Sequence, residues 1–414
     1  MRIDNRLGLP AGDTEDPVLV AEPREGVPEV VDREEELAAA AAALARGSSP
    51  IALDVERAQG FRYGADPYLV QIRREDVGTF LIDAHALPDL SSLGRGVDGV
   101  WILHDAAQDL RNLVQTGLEP RDLFDTEIAA RLLGLERFGL AAVAQQVLGL
   151  DLAKDHQASD WSVRPLPPDW LRYAALDVEL LTELYRRMSV DLERLGRWEW
   201  AEQEFRHILA LPEPVEKPDR WRTVPGAGKI RTRRGLAVLR NLWEAREAVA
   251  RDLDLAPGRL VRNQALVRAA QQPPRNRREL LALGEFRSPK ARPYADLWLR
   301  AVRRATLLEE RDLPPRHADH LAGSIPDARQ WARLDPQAHE RLTAVRTAVG
   351  AVAGPLAMSP EVVLEPRDQR FLAWAPLEDA LPVAAAVEER LAESHARPWQ
   401  IALMRGPLAQ ALSH

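Results

Sequence analysis

The sequence predicts an α/β domain followed by all-α units, and three observations carry that prediction. At 414 residues and 46.2 kDa the chain exceeds what one core usually organises, so two or three domains are expected. Short β-prone runs crowd the first quarter and then give way to helical periodicity, the order of an α/β layer domain. Beyond residue 221 helical patterns recur without a strand among them. A content of 46% apolar and 29% charged residues supplies buried cores and argues against a disordered or fibrous chain.

Residues 1–30 are rich in Pro, Gly, Asp and Glu without periodicity, which predicts a mobile tail. An Ala-rich run at 33–45 reads as a helix. β-prone runs at 51–56, 68–74, 79–84 and 100–103 follow, separated by Gly- and Pro-containing turns, and helical patterns continue to about residue 206. The α/β domain is therefore placed at 31–210. LPEPVEKPDRW at 211–221, with three prolines and several charges, marks a linker over 211–226. Helices at 233–253, 257–262, 264–271 and 296–311 build a helical domain over 227–312, and a second covers 325–414. EAVARDLDLAPGRLV at 247–261 and TAVGAVAGPLAMSPEVV at 347–363 both place a proline before the next helix, which suggests a duplicated module.

Composition excludes several chemistries. With no cysteine there is no disulfide, thiolate zinc site, Fe–S cluster or Cys nucleophile, so any metal must sit on oxygen or imidazole. No apolar run approaches the roughly 20 residues that span a bilayer, and MRIDNRLGLPAGDTEDP lacks the apolar stretch of a signal peptide; a cytoplasmic protein without a membrane partner is expected. The net charge of −8 hides an asymmetry: 217–304 holds 22 basic and 8 acidic residues, a net of +14, against −18 for 1–216 and −4 for 305–414. Only the middle segment looks like a polyanion binder. PGAGKI at 225–230 is not a phosphate-binding P-loop, because Thr223 stands where the first glycine is needed and Ile230 follows Lys229.

Carboxylates carry the chemical signal. Period-2 alternation in IALDVER puts Asp54 and Glu56 on one face of a strand, opposite Ile51, Leu53 and Val55. In PPDWLRYAALDVELLTELYRRM, Tyr173 and Asp177 lie one turn apart on the same stripe as Leu180, Leu181 and Leu184, where an aspartate is out of place for packing. Asp109 in WILHDAAQDLRNL lies on a helix that follows a strand end, with Asp105, Asp122 and Asp125 as competitors. Asp125 or Thr126 reads as a helix cap, because an apolar period starts just after them. Four carboxylates around one point raise each other's pKa unless cations neutralise them. Hard divalent ions, Mg²⁺ or Mn²⁺, do so with oxygen ligands, and a pair of them stabilises the attacking and leaving oxygens of phosphoryl displacement.

These segments resemble the DEDDy branch of the DEDD exonucleases, and the ribonuclease D family within it. LDVERAQGFRYGADPYLVQI resembles the first motif, HDAAQDL the second and YAALDVELL the third, while LFDTEIAARLL and SDWSVRPLPPDWLRYAALDV resemble the stretches between them. The resemblance covers roughly residues 30–205. It implies an RNase H-like fold, two Mg²⁺ or Mn²⁺ ions and removal of nucleotides from RNA 3′ ends, with transfer RNA precursors or other structured RNAs as the expected substrates. Asp54 would bridge both ions, Glu56 and Asp177 would complete the first site, Asp109 would hold the second, and Tyr173 would orient the attacking water. Trp161 and Arg164, just before the third motif, are candidate substrate contacts.

LRNLWEAREAVARDLDLAPGRLV resembles the opening of the HRDC module that follows the nuclease domain in this family. Arg231, Arg233, Arg234, Arg262, Arg277, Arg278 and Lys290 are its candidate phosphate contacts. PWQIALMRGPLAQAL would close a second, diverged HRDC-like unit, whose net negative charge favours packing against the chain over RNA binding. Two other functions stay open at this level: a DNA 3′→5′ exonuclease, since contacts to the 2′-OH are not legible in motifs, and a non-catalytic RNA-binding or assembly protein.

Overall fold

The computed structural model describes residues 17–152, 159–212, 219–316, 325–378 and 381–413. Strands β1 (Val18–Val20) and β2 (Val30–Val31) precede helix α1 (Glu34–Leu44). β3 (Ile51–Arg57), β4 (Pro67–Arg74) and β5 (Gly78–Ile82) form an antiparallel meander, and β6 (Val100–Leu103) and β7 (Asp122–Asp125) extend it in parallel. Six strands thus make one mixed sheet in the order β2-β5-β4-β3-β6-β7, with β3 near its centre. Helices α2 (Ala106–Gln115), α3 (Thr126–Leu132) and α4 (Leu140–Leu148) follow, then β8 (Leu150–Leu152) and the long helices α5 (Pro168–Arg194) and α6 (Trp198–Leu209).

Two boundaries differ from the sequence expectation. Residues 17–30 are not a free tail: β1 pairs in parallel with β8, β2 pairs with β5, and Glu25 takes both Arg73 guanidinium nitrogens at 2.8 and 2.9 Å. β-branched Val18, Val20, Val30 and Val31 favour pairing, but their partners lie far along the chain, so local composition does not reveal it. Residues 1–16 fall outside the described residues. Of the linker expected over 211–226, residues 213–218 fall outside the described residues, and Trp221 and Val224 are buried in the core of the next domain.

That domain packs α7 (Arg233–Asp252), α8 (Pro257–Leu260), α9 (Asn263–Gln271), α10 (Arg277–Ala282) and α11 (Ala295–Thr306) around Leu239, Leu266, Phe286 and Trp298. The last unit comprises α12 (Trp331–Leu334), α13 (Pro336–Ala353), α14 (Pro360–Val363), α15 (Pro366–Trp374), α16 (Val383–Glu393) and α17 (Pro398–Ala411). The suspected duplication is visible in the backbone: α7, α8 and α9 have 20, 4 and 9 residues, and α13, α14 and α15 have 18, 4 and 9. Each one-turn helix opens on a proline and closes on an extended residue, Val261 or Leu364.

The two helical units attach differently. The C-terminal unit shares one hydrophobic core with the α/β domain, including Phe124, Phe205, Trp331 and Trp399. Trp399 stacks on Trp200 with centroids 4.7 Å apart, and buried Arg397 reaches Glu204 at 2.8 Å. The basic unit keeps a core of its own and holds one loop of the α/β domain. Asp254 accepts from Arg62 at 3.3 Å and from the Tyr63 N–H at 3.2 Å, Ala256 N–H donates to Phe61 O, and Arg259 donates to Gly60 O at 2.6 Å.

Candidate active site

The site is assembled on β3. The antiparallel partner β4 and the parallel partner β6 hold this strand on both sides, and α5 lies across the face that carries Asp54 and Glu56. A proline at the start of α5 needs no N–H partner there, and 27 uninterrupted helical residues carry Tyr173 and Asp177 over the strand. One oxygen each from Asp54, Glu56 and Asp177 lie within 4.8 Å of one another. Tyr173 donates its phenolic hydrogen to Asp177, as their shared stripe predicts.

Asp109 arrives by a separate device. Asp105, with φ 57° and ψ 55°, turns the chain from β6 into α2 through the left-handed region that aspartate tolerates better than most residues. Its own side chain does not cap α2. Asp125 does so instead, accepting from the N–H groups of Asp105 at 3.2 Å and Ala106 at 2.7 Å, while also capping α3 through Glu127 at 2.8 Å and Ile128 at 3.2 Å. One buried carboxylate therefore orients both helices. Burial pushes its pKa up to about 6 despite those donors.

A cavity of about 350 Å³ opens over the cluster, lined among others by Asp54, Glu56, Arg57, His104, Gln108, Asp109, Tyr173 and Asp177. Burial is the main force on Asp54, Glu56, Asp109 and Asp177. Desolvation raises Asp54; it raises Glu56 and Asp109 well above the carboxylate range, with neighbouring acids adding to the shift; and it does the same to Asp177, helped by Asp54. Burial, then the surrounding carboxylates, keep Tyr173 protonated. Arg57 opposes this trend at Asp54, Glu56 and Asp109.

The residues fit a hard divalent cation. The donors are all carboxylate oxygens, burial raises their pKa values, and Asp109 Oδ1 is buried without an aligned hydrogen-bond donor. All five residues expected from the motifs are thus brought together.

The expected substrate contacts fare differently. Trp161 is fully buried, 5.2 Å from Trp170 and 6.5 Å from Tyr173 between ring centroids, so it packs under the site and offers no face to a base. Arg164 pairs with Asp83 and donates to the carbonyls of Trp161 and Tyr68, which makes it a scaffold for the segment before α5. Arg233 and Arg234 are bound to the carbonyls of Pro314, Leu313, Thr306 and Leu308 and brace the end of their domain. Arg277 faces Asp296 at 3.3 Å. Arg231, Arg262, Arg278 and Lys290 are exposed. Arg262 lines a cleft of about 780 Å³ with Arg259 and Arg268, and Arg259 ties that cleft to the loop following Glu56.

Sequence reasoning missed Arg57 and His104 among the residues that line the cavity. Arg57 leaves the strand at a register shift between Glu56 and itself, which alternation cannot foresee. His104 sits 2.9 Å from Thr126 Oγ1, and burial lowers its pKa to about 4, so it is neutral. Its position in HDAAQDL was the one signal that pointed to it.

Comparison with known proteins agrees with this geometry. A family profile described as 3′-5′ exonuclease matches residues 28–193, an HRDC domain profile matches 235–302, and a profile described as 3′ to 5′ exonuclease C-terminal domain matches 324–412. The C-terminal unit thus corresponds to a distinct profile, although its helix order repeats that of the HRDC unit. A ribonuclease D from Sphingobium indicum is 33% identical over 241 residues, 56% of this chain and 61% of the relative's length. The crystal structure of a protein from Bifidobacterium adolescentis superposes with a TM-score of 0.87 at 38% identity, covering 96% of this chain and all of that one. Escherichia coli RNase D, described as an exoribonuclease involved in structured RNA processing, superposes with a TM-score of 0.66 at 26% identity, covering 93% and 98%.

Proposed function

The chain belongs to the ribonuclease D family, and from that membership and the carboxylate cluster we propose that it is a metal-dependent 3′→5′ exoribonuclease that trims RNA 3′ ends. The observation that carries the reading is the convergence of Asp54, Glu56 and Asp177 within 4.8 Å under a Tyr173 hydroxyl that is bonded to Asp177. Asp54, Glu56 and Asp177 would hold one divalent ion, and Asp54 with Asp109 a second. Bound there, such ions supply Lewis-acid stabilisation to the attacking and leaving oxygens of phosphodiester hydrolysis.

The protein's own residues do the rest. Tyr173 stays protonated, so it orients a water through its hydroxyl oxygen and does not act as a base. Burial around the cluster strengthens each electrostatic contact by excluding water. His104, being neutral, adds no charge to the site. The exposed Arg231, Arg262, Arg278 and Lys290 would hold the body of the RNA through its phosphates. Transfer RNA precursors are the proposed substrate, on the strength of the family alone.

A 5′-labelled RNA and its DNA twin, each incubated with Mg²⁺, Mn²⁺ or EDTA, test the reading. The RNA should shorten one nucleotide at a time from its 3′ end with either ion and stay intact in EDTA. No shortening of RNA with either ion overturns the proposal; faster shortening of the DNA twin would assign the enzyme to DNA.

A further inference from the structure

β4 places Gln71 directly opposite Asp54 in its antiparallel pairing with β3. Opposed residues in such a pair carry their side chains on one face, with Cβ atoms about 5 Å apart, so Gln71 lies beneath α5 on the side of the carboxylate cluster. It is fully buried, and neither its Nε2 nor its Oε1 has a hydrogen-bond partner among the described residues. An amide withdrawn from water in this way costs free energy that an apolar side chain of equal size does not. Packing alone does not call for it. Leu81, its partner on β5, and Leu69, two residues back on the same face, belong to a small apolar core with Ala174 and Ala175 of α5.

The polar neighbours give the amide a purpose. Arg73, two residues on along the same face, is held by Glu25 at 2.8 and 2.9 Å and by Thr79 Oγ1 at 2.8 Å, yet its Nε is buried without a partner. Trp161 Nε1, in the core that holds Leu69 and Leu81, is a second buried donor without a partner. These groups can only donate, whereas an ionised Asp54 can only accept. A side chain set between them must offer an acceptor to one side and a donor to the other, and glutamine does so without adding charge. That fixes its orientation: Oε1 toward Arg73 and Nε2 toward Asp54.

We propose that Gln71 is a positioning residue for Asp54: when the cluster holds an ion, Nε2 donates to the Asp54 carboxylate, directly or through one buried water, while Oε1 accepts from Arg73. Such an outer hydrogen bond holds a ligating carboxylate in its binding orientation. Gln71 is not among the residues that line the cavity, so it acts only through Asp54. The proposal rests on the metal-dependent nuclease reading and adds a residue behind the ligands to it.

Mn²⁺ binding to the full-length protein, followed by electron paramagnetic resonance, is measured together with melting in EDTA and steady-state cleavage of a short RNA. Gln71→Met keeps the reach of the side chain and removes both polar ends. It should bind Mn²⁺ about tenfold more weakly than wild type and lower kcat about 10- to 100-fold at unchanged KM. In EDTA it should melt at or above the wild-type temperature, because a buried amide without partners adds nothing to the fold. Weakened Mn²⁺ binding with intact melting is a result that a purely structural amide would not give. Arg73→Lys keeps the charge that faces Glu25 and loses the Nε–H, so it should weaken Mn²⁺ binding in the same direction. Wild-type Mn²⁺ affinity in Gln71→Met overturns the proposal, whatever its melting temperature. If that variant does not melt cooperatively, Arg73→Lys decides, and unchanged Mn²⁺ affinity there overturns it. Absence of any Mn²⁺ binding by wild type would instead remove the metal-dependent reading itself.

Discussion

Burial holds the carboxyls of Asp54, Glu56, Asp109 and Asp177 above their ordinary values, with neighbouring carboxylates adding to the shift at Glu56, Asp109 and Asp177, so ionising the cluster in the ion-free protein is costly. A carboxyl whose folded pKa is raised binds protons more readily in the folded state than in the unfolded one. Stability of the ion-free protein should therefore fall as pH rises from about 4 through the raised values, and divalent ions should restore it. Asp54→Asn removes one of the repelling charges. In EDTA at pH 8 it should melt a few degrees above wild type, with the two curves converging toward pH 4, while its nuclease activity is lost. Residual activity within a few fold of wild type would remove Asp54 from the metal site. Tyr173→Phe keeps the ring in its packing and deletes the hydroxyl, so turnover should fall about 10- to 1000-fold with little change in KM; unchanged turnover would reduce Tyr173 to packing. Asp54, Glu56, Tyr173 and Asp177 were legible from the strand and helix periods, whereas Asp109 was separated from Asp105, Asp122 and Asp125 only by the resemblance of HDAAQDL to the family's second motif. Arg57 was not legible, because a register shift beside Glu56 interrupts the alternation, and His104, just after β6, leaves no periodic trace. Trp161 misled in the opposite direction: proximity in sequence to the third motif says nothing about burial, and Trp170 and Tyr173 close over it.

Position of the clustered carboxylates depends on helix ends as much as on the strand. Asp125 satisfies four N–H groups at the starts of α2 and α3, so its loss frees both helices at once. Asp125→Ala should cost on the order of 2–4 kcal/mol, read as a drop in melting temperature, because several buried donors lose their acceptor together. It should also weaken Mn²⁺ binding, since α2 carries Asp109; a variant with wild-type stability would show that solvent replaces the cap. The sequence announced this cap through the apolar period that begins after it, and the strands β3 to β6 through β-branched runs between turns. β7 escaped because DLFD, charged at both ends, reads as a turn until its parallel neighbour β6 is known. β1, β2 and β8 escaped for the same reason: each is two or three residues long and exists only through a distant partner. Arg233 and Arg234 looked like phosphate ligands because composition counts charges, whereas the carbonyls that engage them lie some 70 to 80 residues further along the chain.

At the scale of the molecule, the two helical units divide the tasks of support and grip. The C-terminal unit is net negative and continuous with the core of the α/β domain through Trp399 on Trp200 and Arg397 on Glu204. Removing it would expose those aromatic faces, and its deletion should lower the melting temperature of the catalytic domain. That makes truncation a poor probe of RNA binding. The basic unit, net +14 over 217–304, touches the α/β domain at the loop carrying Gly60 to Tyr63, a few residues beyond Glu56. If it grips RNA, the grip must come from cations not already engaged by the protein, and Arg231, Arg262, Arg278 and Lys290 are exposed where Arg233 and Arg234 are bound to carbonyls. Replacing those four by glutamine leaves the shared cores untouched. Every cation–phosphate pair removed in this way should reduce the slope of log K against log salt by roughly 0.7 for single-stranded RNA, as fewer counterions are released on binding. Fluorescence anisotropy of a labelled RNA across a salt series in EDTA, where cleavage is suppressed, reads this slope directly. Short oligonucleotides should still be degraded at near wild-type turnover, because the carboxylate cavity is unchanged. A fourfold variant with the wild-type slope would show that these four cations are not the RNA grip.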